Sequence, residues 1–162
     1  VIFTEVITTP EIKTSESYVE IKCDKYFDGF ELKEAYPYEF ADADGWAVVP
    51  LEVTTHGDVV DYYYDIYVGD LTGEDAPTDN QLILDLSQYG RKNEPIAMSY
   101  CYFYEPLTLV YFAKDGDDNN SVVTRVPMFL YPETANDLSE FNYYDTQSAA
   151  KQFYRREFSA TR

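Results

Sequence analysis

The stretch Trp46–Asp70, WAVVPLEVTTHGDVVDYYYDIYVGD, decides the fold class. Val49, Leu51 and Val53 alternate with Glu52 and Thr54, the period-two pattern of a strand with one buried face. A Thr55-His56-Gly57-Asp58 turn follows. A second strand then places Tyr62, Tyr64, Ile66 and Val68 on one face and Tyr63, Asp65 and Tyr67 on the other. The spacing predicts an antiparallel hairpin. Its mostly apolar face, with Tyr62 and Tyr64, should line the core, and the face with Tyr63 should point outward. Pro50 cannot donate to a ladder, which predicts an edge position or a bulge.

Outward from this stretch, strand signals recur. They fall at Ile2–Ile7, at Tyr18–Cys23 (Val19, Ile21 and Cys23 on one face), and at Ile96–Tyr104, Leu107–Ala113 and Val122–Leu130. The last three read as an antiparallel meander, with KDGDDNNS (Lys114–Ser121) as turn chemistry. Thr78-Asp79-Asn80-Gln81 opens a helix with a capping box, and Leu82, Ile83, Leu86 and Tyr89 form its apolar stripe. Gly90 is its expected C′ residue. Residues 25–45 lose the alternation and carry Gly29, Pro37, Gly45 and six acids, a long acidic excursion with at most a helical turn. Thr146–Phe158 could form a short helix. Lys151, Arg155, Arg156 and Arg162 make this end basic, as in a tail that docks on the acidic domain or a join to another part of a longer protein.

Composition excludes several classes. The 162 residues suffice for one domain with a real core. Thirty acidic against 12 basic residues give a net charge of -18, a field that repels phosphate backbones and anionic lipid. No apolar run approaches the ~20 residues of a membrane helix. With one histidine and no CxxC, the usual zinc spacings are absent. Cys23 and Cys101 fall on inward positions of strands; two buried free thiols are the first reading and a disulfide the alternative. The sequence starts at Val1 without a leader pattern, which reads as a mature or excised piece.

Taken together, strand, turn, YYY strand, GDLTGEDAPTDNQLILDLSQYG helix, strand, LTLVYFAKDGDDNNS and a final strand resemble the fibronectin type III-like modules of Bacteroidetes surface lipoproteins. The resemblance covers about Ile2 to Leu130. It implies an all-β, immunoglobulin/fibronectin type III-like β-sandwich over residues 1–131, with a crossover helix (78–89), the excursion (25–45) and a C-terminal extension (132–162). It further implies an exported, lipid-anchored location at the cell surface or outer membrane, the anchor lying in another segment. Other domains of the same polypeptide, or cell-surface proteins, would be the partners.

No residue pattern selects a catalytic set. His56 reads as an exposed turn histidine, because no serine sits in a nucleophile-elbow context. The 30 acids offer no spacing that singles out a carboxylate pair. A non-catalytic structural or adhesion module is therefore expected. The alternative is a carbohydrate-binding module, with Tyr26, Phe30, Tyr36, Tyr38 and Trp46 as a ring platform for glycans. Asp115, Asp117 and Asn119 could form a weak surface calcium site, though the loop lacks the glycine and glutamate of an EF-hand.

Overall fold

A computed structural model describes residues 14–141 and 151–158. Among these residues, nine strands form two sheets. One sheet, here sheet A, runs β1 (Tyr18–Lys22), β3 (Ala47–His56), β6 (Ile96–Cys101), β9 (Lys151–Tyr154), with β2 (Phe27–Asp28) also on β3. Sheet B runs β5 (Arg91–Lys92), β4 (Val59–Val68), β7 (Pro106–Asp115), β8 (Thr124–Phe129). The core between them takes Val19, Val49, Leu51, Ala97 and Cys101 from sheet A and Tyr62, Tyr64, Ile66, Leu107 and Leu109 from sheet B. The strand expected at Ile2–Ile7 lies outside the described residues.

The expected hairpin is corrected. β3 pairs with β1, β2 and β6, whereas β4 pairs with β5 and β7. The 55–58 turn therefore arches from one sheet to the other. Both strands carry an apolar face, and those faces meet across the core rather than lying side by side. The meander is corrected likewise: β6 belongs to sheet A, and only β7 and β8 pair. Pro50 is in an interior strand. It falls between the residues of β3 that pair with β2 (Ala47, Val48) and those that pair with β1 (Glu52–His56), where that side of β3 has no neighbour. Pro127 lies on the edge strand β8, where a missing donor is tolerated.

Both outer faces are partly covered. Helix α1 (Gly29–Ala35), N-capped by Asp28, sits in the excursion. The excursion lays Phe27, Leu32, Phe40 and Ala43 over Val48, Met98 and Tyr100 of sheet A. Helix α2 (Asp79–Tyr89) has the expected capping box between Thr78 and Gln81. Its Leu82 and Leu86, both fully buried, pack on Tyr63, Tyr67, Val110 and Phe112 of sheet B. Burial of this kind is worth ~1.5–3 kcal/mol per side chain, more than the cap contributes. Tyr63 and Tyr67 thus face outward from sheet B, as the alternation suggested, and α2 buries them there. The helix runs over the outer face of sheet B and returns to it through β5; the change of sheet comes later, between β5 and β6. Gly90 ends α2 in an extended conformation, not the left-handed one expected of a C′ glycine. Glycine is needed there for space: a Cβ would stand 2.8 Å from the Leu86 carbonyl oxygen.

The C-terminal segment is also corrected. Lys151–Tyr154 is a strand, parallel to β6, and not part of a helix; residues 146–150 lie outside the described residues. Phe153 enters the core, and the open β6 edge supplies the backbone partners that favour strand here. Beyond it the chain changes sheets: Arg156 bridges in parallel to Tyr67 of β4. Residues 151–158 thus close one side of the sandwich. Cys23 and Cys101 are free thiols. Burial pushes the pKa of each up to about 12, with Asp24 adding to the effect at Cys23. No helix among the described residues is long and apolar enough to cross a membrane.

Candidate functional site

Two constellations stand out, both organised by residues 151–158. The first is an aromatic surface on the outer side of sheet A. Trp46, half-buried just before β3, stacks on Tyr102 (ring centroids 4.3 Å apart, 10° between planes) and meets Tyr154 edge-on at 5.0 Å. The Arg155 guanidinium lies 4.4 Å from the Tyr102 ring centre and 5.4 Å from that of Trp46, a cation–π arrangement. Arg155 is oriented by Glu105, with Nε 3.2 Å from Oε2. Tyr100 and Tyr154 continue this cluster into a groove of about 240 Å³ that Tyr38, Glu39, Asp42 and Gln152 also line. The Tyr100 hydroxyl donates to Gln152 Oε1 (2.6 Å), and the Gln152 amide donates to the Glu39 carbonyl (3.3 Å). Burial, with Tyr154 and Asp42 nearby, pushes the Tyr100 phenol up to about 12, so it stays a donor at neutral pH.

The predicted platform residues do not form one surface. Tyr26 donates to the Tyr131 carbonyl (3.0 Å) and holds the 131–134 turn. Tyr36 packs against Phe40 and Phe141. Phe30 is exposed on α1, and Tyr38 is 93% exposed at the groove mouth. Only Tyr38 and Trp46 come near the same cluster, and Tyr100, Tyr102, Gln152, Tyr154 and Arg155 complete it. The signal for those residues was present as aromatic and basic positions at 100–104 and 151–156. Their convergence required the parallel β6–β9 pairing.

The second constellation lies beneath α2. Asp65 of β4 and Asp85 of α2 each have side chains 1% exposed. Both receive hydrogen bonds from Arg156: Nε to Asp65, and Nη2 to Asp85 at 2.6 Å. Tyr67 donates to Asp85 at 2.5 Å, and its ring lies under the guanidinium at 4.8 Å. Burial pushes Asp65 up to about 6, against the opposing pull of Arg156 and, more weakly, Arg91. Tyr67 is raised far above the usual phenol range by burial and its bond to Asp85. Two buried carboxylates sharing one guanidinium and one phenol form a closed structural cluster that ties the chain end to α2 and β4.

The calcium candidates lie in the β7–β8 turn. Asp115 Oδ1 accepts from the backbone N–H groups of Asp117 (2.9 Å) and Asn119 (3.0 Å), and Oδ2 accepts from the Ser15 hydroxyl (2.5 Å). These donors, Ser15 first, hold its carboxyl below the usual range. Asp117 and Asp118 point to solvent, with Asp118 paired to Lys114 at 3.1 Å. Among the described residues, no group of three or more His, Cys, Asp or Glu is placed to hold a metal ion. His56 stacks on Tyr18 and lies 2.6 Å from Glu20, on the face of sheet A. No family model, no curated protein and no solved structure matches this chain.

Proposed function

We propose that the chain is a non-catalytic structural and adhesion module, fibronectin type III-like, within an exported and lipid-anchored cell-surface protein. The strand order supports the fold-family reading: β1-β3-β6 against β5-β4-β7-β8 is a three-on-four arrangement, to which β9 adds a further strand. The observation that carries the mechanical role is the direction of the outermost strands. β1 begins beside His56, at one end of sheet A. β9 ends beside Tyr100, one residue from the opposite end, where Ala47 pairs with Cys101. Tyr100 pairs with Val48, so those levels lie eight residues apart along β3, from Val48 to His56, roughly 26 Å at ~3.3 Å per residue. Domains joined before β1 and after β9 would be held apart by the length of the sandwich.

Small-angle scattering on one, two and three copies joined end to end tests this. The maximum dimension should rise by roughly 30–40 Å per copy. A series in which copies fold back, with little growth in length, would reject the spacer role.

A second reading, carbohydrate binding, is favoured by the groove beside Tyr38. Exposed rings, carboxylates and an amide at one concave site are the chemistry of neutral sugar recognition. On a glycan array, a hit at millimolar or tighter affinity that weakens about tenfold in Tyr38→Ala would support it; this is the usual scale for one aromatic anchor. Binding unaffected by Tyr38→Ala, or no binding to any glycan, would exclude this groove.

A further inference from the structure

We propose that this module carries tension along sheet A, with β1 and residues 151–158 as two clamps loaded in shear; this rests on the spacer reading above. The load path is continuous. Sheet A is ordered β1-β3-β6-β9, so force applied before β1 and after β9 passes through three strand pairs in series. β1 pairs with β3 over five residues, from Tyr18–His56 to Lys22–Glu52. β9 pairs with β6 over four, from Ala97–Lys151 to Tyr100–Tyr154. Inter-strand hydrogen bonds lie across the strands. A pull along the strand axis therefore strains all the bonds of a pair together, whereas a pull across it opens them one at a time.

Both ends carry pins that a mere strand edge would lack. At the β1 end, the Ser15 N–H donates to the Asn120 carbonyl (2.9 Å), the Ser15 hydroxyl to Asp115 (2.5 Å), and the Asp58 N–H to Ser17 Oγ (2.8 Å). Asp115, a calcium candidate from sequence, thereby anchors the incoming chain. At the other end, the Arg155 N–H donates to the Tyr100 carbonyl (3.0 Å). The Arg156 N–H donates to the Ile66 carbonyl (3.1 Å), and the Arg156 carbonyl accepts from Val68 (3.0 Å). The segment is thus bonded to both sheets. Its Arg156 side chain is held by Asp65 and Asp85, and Phe158 packs edge-on against Tyr67 at 6.0 Å. Sliding β9 along β6 requires Arg156 to leave two buried carboxylates and Phe153 to leave the core.

Single-molecule pulling on the full 162-residue chain through tags at its two ends tests the proposal. The comparison is the same chain pulled between its C-terminal tag and a tag inserted after Gly73. Gly73 is exposed in the loop that follows β4, and Phe158 packs on Tyr67, so the load then enters the described residues from the Val68 end on both sides and the closing segment is peeled. The end-to-end unfolding force should be about twofold higher at equal loading rate, and Arg156→Gln should lower it by about a third, because forced unfolding reports the barrier directly. Equal forces in the two geometries overturn the proposal. An unchanged end-to-end force in Arg156→Gln removes the role of the latch; should that variant fail to fold, the two-geometry comparison on the natural chain still decides. The scattering series reads length without load, so a rigid spacer that is weak under force is distinguishable from a failed spacer.

Discussion

Arg156→Ala is expected to lower the unfolding free energy at pH 7.5 by about 3 kcal/mol, and the melting temperature by roughly 6–12 °C. Removing one partner of a buried ion pair costs about 3–5 kcal/mol; the lower figure applies because the guanidinium is 23% exposed while both carboxylates are 1% exposed. The variant also frees the segment that crosses from β9 to β4. Urea unfolding should show the loss shrinking at pH 5, where Asp65, without its guanidinium, takes up a proton and the uncompensated charge disappears. A loss below about 1 kcal/mol would place this pair among exposed, weak salt bridges and contradict the buried cluster.

Asp65 carries its own pH signature. Its folded pKa is about 6 and its ordinary value is 3.8. A carboxyl raised on folding binds more protons in the folded state, so ionised Asp65 penalises the fold above pH 6. That penalty fades as pH falls through 6 and is gone below about 4. The difference between those two values corresponds to something on the order of 3 kcal/mol. Between pH 7.5 and pH 4.5 the natural chain should therefore gain stability relative to Asp65→Asn, which cannot ionise. A difference between the two proteins that does not change with pH would refute the assignment. Arg156, Asp85, Tyr67 and Arg91 surround the group, and of these only the two arginines oppose its rise.

The second large effect is expected at Gly29. A Cβ there would lie 1.9 Å from the Ala43 carbonyl oxygen and 2.6 Å from that of Trp46, both backbone atoms. The Gly29 N–H also donates to the Trp46 carbonyl at 2.9 Å, so the approach is fixed by a hydrogen bond. Gly29→Ala must push the start of α1 away from the strand that leads into β3. Overpacking costs about 1–3 kcal/mol where side chains can yield, and a backbone obstacle puts this variant at or above about 3 kcal/mol. The excursion would lift from Val48, Met98 and Tyr100, and Trp46 would become more exposed. A lower urea midpoint together with red-shifted tryptophan fluorescence is the expected result. An unchanged midpoint would mean that the excursion is not seated as described.

The strand periodicities at Tyr18–Cys23, Trp46–Asp70 and Ile96–Leu130 were legible in the chain because alternation is a local property, set by which face meets water. The helix at 79–89 was legible for a similar reason: Thr78 and Gln81 satisfy each other's backbone donors within one turn. Turn residues marked where strands stop. They did not say which strand each one pairs with, since a tight turn can return a chain to the same sheet or arch it into the opposite one. That choice belongs to the core, where Val49 and Leu51 must face Tyr62, Tyr64 and Ile66.

The candidate site depended even more on distant partners. Asp65, Asp85 and Arg156 are unremarkable among many charges until α2 and β9 bring them together, 71 and 91 positions apart in the chain from Arg156. Trp46 gained its environment in the same way, from Tyr102, Tyr154 and Arg155. The sequence by itself determined a two-faced β protein with one well-capped helix and a basic end on an acidic body. Tertiary structure decided that the basic end is a strand and a latch. Burial removes water from around Asp65 and Asp85, and in that setting Arg156 is the cation positioned to replace it.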